Sequence, residues 1–144
     1  MKVVICSSIE FTGQIKEIAN VLAQQGHTVE IPLTSQRIIS GELTMEEFKE
    51  EKQNSGESAA RKVRDDVIRR YFEIIKAADC ILVLNLKKNG IDNYIGGNTF
   101  LEMGFAHILH KPIFLYSKVP DTSYTDEIIA MQPVVLDGDL SKLQ

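Results

Sequence analysis

Two hydrophobic periods alternate along the chain. Val3, Val4 and Ile5 form a short β-branched run that ends in Cys6-Ser7-Ser8, as a buried strand would. From Thr12 the period changes: Ile15, Ile18, Ala19, Leu22 and Ala23 mark one face of a helix, and Gly26 stands where a helix ends. His27 to Pro32 reads as a second strand. Leu33 to Arg61 is less regular, with a capping pattern at Thr44-Met45-Glu46-Glu47 and a short helix through about Lys52. From Ala60 a strong helical period predicts one helix whose core face carries Val63, Val67, Tyr71, Ile74, Ile75 and Ala78. Its polar face carries Arg61, Arg64, Asp65, Arg69, Glu73 and Lys76. Cys80 to Leu86 is apolar almost throughout, which predicts a strand buried on both faces. Leu101, Phe105, Ile108 and Leu109 then fall at helical spacing, Ile113 to Tyr116 reads as a fourth strand, Tyr124 to Met131 as a short helix, and Val134 to Leu136 as a fifth strand.

Strands alternating with helices predict an α/β fold of one domain, a doubly wound, flavodoxin-like or Rossmann-like three-layer sandwich. Right-handed crossovers make its five-stranded sheet parallel, in the order 2-1-3-4-5. Strands one and three are then neighbours. Such folds bind ligands at the carboxyl edge of the sheet, so the loop Ser7 to Gly13 and the stretch Asn93 to Ala106 should flank one crevice. The segment 33–60 leaves the same edge and reads either as a lid or as a mobile insertion.

The second of those stretches carries the candidate chemistry. Gly96-Gly97 lies between a strand and a helix, where glycines permit positive φ and close approach to a ligand, and where free helix N–H groups attract anions. Glu102 follows about one turn into the helix. Two readings stand beside each other: a carboxylate facing a ligand, or the partner of Thr99 in a capping box. Ser7, Ser8, Phe11, Gly96, Gly97, Asn98 and Thr99 are the candidate ligand cradle, against a plain role in turns and caps. Arg70, on a helix flank, is either a phosphate contact or a solvated charge.

Composition narrows the partners. The 144 residues are 44% hydrophobic and 25% charged with a formal net charge of −4, ordinary values for one well-filled core. No basic block marks a footprint for polymeric nucleic acid, although a free nucleoside or nucleotide stays open. No apolar segment approaches the roughly 20 residues of a membrane span, and Lys2 leads straight into a strand, so a cytoplasmic protein without membrane contact is expected. Cys6 and Cys80 read as reduced core residues, with Cys6 alternatively a pocket wall. His27, His107 and His110 form no metal set, so no metal is expected. No cofactor is expected either: GxGxxG and GxxxxGK[ST] are absent, and the first loop has no Ser/Thr-rich cradle for a flavin phosphate.

Three blocks carry a family resemblance: Ser8-Ile9-Glu10-Phe11 with Gly26-His27-Thr28-Val29 and Pro32; Asn93 to Ala106; and Asp126-Glu127-Ile128 with Gly138-Asp139-Leu140. The chain resembles the nucleoside 2-deoxyribosyltransferase-like proteins, and more closely a prokaryotic branch of them. The wider likeness lies in Ala78-Asp79, Thr99 and Glu102-Met103-Gly104-Phe105-Ala106. The resemblance implies that Glu102 attacks the anomeric carbon of a nucleoside or nucleotide and forms a glycosyl-enzyme, a task suited to an anion facing an oxocarbenium-like sugar. It also implies a homodimer or larger homo-oligomer. Gly96 stands where transferases of the family commonly carry an Asp, and Tyr71 follows Arg70 where an Asp is frequent. Asp92 or Tyr94, from the loop before the glycines, is the expected assistant in their place, and base exchange, hydrolysis and binding alone all remain open.

Overall fold

The structure, a computed structural model, describes residues 1–54 and 56–144. Its centre is a five-stranded parallel sheet in the order β2-β1-β3-β4-β5, with β1 Lys2–Cys6, β2 Thr28–Glu30, β3 Cys80–Val83, β4 Ile113–Leu115 and β5 Val134–Val135. The helices are α1 Thr12–Gln24, α2 Leu33–Ile39, α3 Met45–Gln53, α4 Glu57–Asp65, α5 Val67–Lys76, α6 Gly97–Ile108 and α7 Thr125–Ala130. The expected α/β sandwich and strand order are those observed.

Alternation along the strands builds both outer layers. Val4, Cys6, Ile81, Val83, Ile113 and Leu115 face Tyr71 and Ile75 of α5, Met103 and Ala106 of α6 and Ile128 of α7. Val3, Ile5, Cys80, Leu82 and Phe114 face Phe11, Ile15 and Leu22 on the other side. Both cysteines are buried and free. β3 is shorter than the apolar run that predicted it, because the chain leaves the sheet after Leu84. There Asn85, fully buried, receives the Ser117 N–H at 2.8 Å and donates to the Lys118 carbonyl at 2.9 Å.

The region after β2 departs most from expectation. α2 lies where the sequence predicts no regular element, whereas α3 begins as predicted, the Glu47 N–H donating to Thr44 Oγ1 at 3.1 Å. The single helix expected from Ala60 is two. Asp66 sits in the left-handed region at φ 47° and ψ 45°, closing α4 and opening α5 in a new direction. The break turns α4 so that Val63, expected in the core, is 82% exposed. Arg61, expected on the solvent face, is buried against Glu51 of α3 and lies 3.5 Å from Thr34 Oγ1 of α2. This partly buried pair ties the three helices of the insertion together.

Candidate active site

β1 and β3 end side by side at the point where the strand order reverses, and their loops diverge around a cavity of about 140 Å³. Ser7 and Ser8 enter from β1, Lys88 and Tyr94 from the loop after β3, and Gly96 to Thr99 and Glu102 from the start of α6. Leu33, Thr34, Phe48, Lys52, Ser58, Arg61 and Lys62 come from the insertion, which forms the facing wall.

Local geometry fixes these side chains. The Ser7 hydroxyl donates to the Leu84 carbonyl at 2.8 Å, joining the two strand ends. Lys88 Nζ donates to Ser8 Oγ at 3.0 Å, lies 3.3 Å from Glu10, and stands 4.9 Å above the Tyr94 ring. A tight turn at Asn89 (φ 51°) and Gly90 (φ 77°) returns the chain, so that Lys88 and Ile91 exchange backbone hydrogen bonds. The Tyr71 hydroxyl donates to the Ile5 carbonyl and closes the cavity floor.

The α6 start corrects two expectations. Gly96 is the cap, at φ −86° and ψ 180°, and its carbonyl accepts the Phe100 N–H at 2.9 Å. The helix therefore begins at Gly97, ahead of Thr99, and no Thr99–Glu102 capping box forms. Neither Gly96 nor Gly97 has positive φ. What Gly96 provides is room: a Cβ there would lie 2.9 Å from the Tyr94 hydroxyl.

Released from capping, Glu102 faces the cavity with its Oε2 buried and without a hydrogen-bond partner among the described residues. Burial pushes its carboxyl from 4.5 up to about 8. The Cys6 thiol and the Lys62 ammonium pull the other way without cancelling it. Cys6 is itself held well above the ordinary thiol range by burial and by Glu102. Cys6 is thus a core residue as expected, packed in the same cluster as Met103 and Ala106 of α6, and it does not line the cavity.

Ser7, Ser8, Tyr94, Gly96, Gly97, Asn98, Thr99 and Glu102 are brought together as the sequence predicts. Three expected residues are not. Phe11 is buried against Ile15 on the opposite face of the sheet. Asp92 is on the solvent side of its loop, 3.8 Å from Lys87. Arg70 lines a neighbouring cleft with Arg37 and Glu42, because the bend at Asp66 turns its flank of α5 away from the cavity. Conversely, Lys52, Arg61, Lys62 and Lys88 line the cavity without having been singled out. Lys88 had a legible signal, since it follows β3 at the ligand edge; the other three depend on the break at Asp66 and on how the insertion folds.

Among the described residues no cluster of three or more His, Cys, Asp or Glu side chains could hold a metal ion, and no helix is long and apolar enough to cross a membrane. Compared with known proteins, the sequence matches no family model and no curated protein.

Proposed function

We propose that this protein cleaves or transfers at the N-glycosidic bond of a nucleoside or nucleotide, with Glu102 as nucleophile. The observation that carries the reading is a carboxylate with a buried, unpartnered oxygen on the cavity wall, at the start of α6 and behind Gly96-Gly97. A desolvated carboxylate stores reactivity that hydrogen bonds would quench, and it meets positive charge as the sugar approaches an oxocarbenium ion. In the first step a Glu102 oxygen bonds to C1′ while the C1′–N bond breaks, its electron pair passing to the base, which takes up a proton. Tyr94, whose hydroxyl stands over Gly96, is the proton donor in place of Asp92. Water or a second base then bonds to C1′ while the C1′–Glu102 bond breaks, the proton of the attacking group returning to Tyr94 and Glu102 leaving as the carboxylate. The likeness to the nucleoside 2-deoxyribosyltransferase-like proteins supports the same assignment.

Because Glu102 titrates near 8, the nucleophile is mostly protonated at neutral pH, and kcat/KM rises with pH until about that value. The test is incubation with a panel of nucleosides and nucleotides, followed by chromatography for free base. Base release by wild type that is lost in Glu102→Ala supports the reading, and release undiminished in that variant refutes it. The neutral state of Glu102 also favours a second reading, a nucleotide-binding module in which the protonated carboxyl donates a hydrogen bond to a bound base or ribose. Thermal stabilisation by nucleotides without base release distinguishes it. Association into homo-oligomers belongs to the same proposal, supported by an apolar groove on α6 where Leu101 is 43% and Ile108 77% exposed.

A further inference from the structure

Four cationic side chains, Lys52, Arg61, Lys62 and Lys88, face the cavity that holds Glu102. The chain as a whole carries a formal charge of −4, so this wall runs against its average. Arg61 and Lys88 are already neutralised, by Glu51 and Glu10. Lys52, exposed and 5.6 Å above the Phe48 ring, and the half-buried Lys62 form no ion pair with a carboxylate among the described residues. Lys62 is also crowded: partial burial first, then the like charges of Lys52 and Arg61, hold its ammonium below the ordinary value. Among the described residues Glu102 is the one carboxylate on the cavity wall, and its pull on Lys62, with that of Glu51, offsets the burial and the like charges only in part. Two ammonium groups without an ion-pair partner thus line one concave wall, where an anion entering between them is favoured.

Resting on the N-glycosidic reading of this cavity, we infer that the substrate is a nucleoside monophosphate whose phosphate is held between Lys52 of α3 and Lys62 of α4 while its C1′ faces Glu102. A phosphomonoester carries about −1.5 to −2 at pH 7, which matches two uncompensated lysines. The Ser58 hydroxyl lies on the same wall. The insertion thereby gains a role: α3 and α4 bring to the sheet edge the charge that separates a nucleotide from a nucleoside.

The experiment compares deoxynucleosides with their 5′- and 3′-monophosphates, reading binding by calorimetry and base release by chromatography. Wild type should prefer one monophosphate series over the nucleosides, and its KM for that series should rise with added NaCl. Lys52→Met and Lys62→Met should each weaken monophosphate binding roughly tenfold, Lys62→Arg should recover part of it, and Lys142→Met, remote from the cavity, should change nothing. Circular dichroism verifies that each variant folds. Nucleosides binding as tightly as their monophosphates, or monophosphate binding indifferent to both Met substitutions, overturns the phosphate site. Lysine-dependent nucleotide binding without base release upholds the phosphate site and overturns the glycosidic reading; base release with no phosphate preference does the reverse.

Discussion

Glu102→Gln keeps the size of the side chain and removes its proton equilibrium, so the pH dependence of stability isolates that one group. In the folded protein burial raises the carboxyl from 4.5 to about 8, so the native state retains a proton that the unfolded chain releases near pH 4.5. The stabilisation is fully present below the unfolded value and is lost as pH rises through the folded one. Within that window the slope approaches about 1.4 kcal/mol per pH unit. Wild type should therefore lose roughly 3.5 kcal/mol relative to Glu102→Gln between pH 5 and pH 8. All other titrating groups are common to both proteins and largely cancel in the difference. Urea unfolding followed by circular dichroism at four pH values across this range measures it directly. Two curves that stay parallel would mean that Glu102 is solvated in solution, and the nucleophile assignment would lose its physical basis.

Other perturbations reach different parts of the structure. Arg61→Ala leaves the partly exposed Glu51 carboxylate without its partner and should cost about 2 kcal/mol in urea unfolding; a cost below ~1 kcal/mol would show the pair to be solvent-screened. Gly96→Ala suits its backbone angles but brings a methyl to 2.9 Å from the Tyr94 hydroxyl. Stability should change by less than ~1 kcal/mol while base release falls several-fold, and unchanged turnover would remove Tyr94 from the mechanism. Ile108→Asp places a charge on the exposed apolar groove of α6 and should dissociate the oligomer in light scattering; a wild type that is already monomeric refutes the association.

Sequence alone determined the sheet. β-branched runs and helical periods are local records of which side of each element is buried, and crossover handedness then leaves few ways to order five parallel strands. The same logic put Ser7, Gly96 and Glu102 at one crevice. Tertiary structure decided what those residues do there. Whether Thr99 caps the helix depends on where the first helical hydrogen bond closes, and Gly96 accepts it before Thr99 can. The periodicity from Ala60 to Ala78 ran unbroken, yet the fold bends it at Asp66, exposing Val63, burying Arg61 and carrying Arg70 away from the cavity. The proton on Glu102 and the uncompensated charge of Lys52 and Lys62 arise from desolvation and from neighbours far apart in the chain. Dielectric surroundings and long-range charge pairs are set by packing, and no local pattern of residues encodes them.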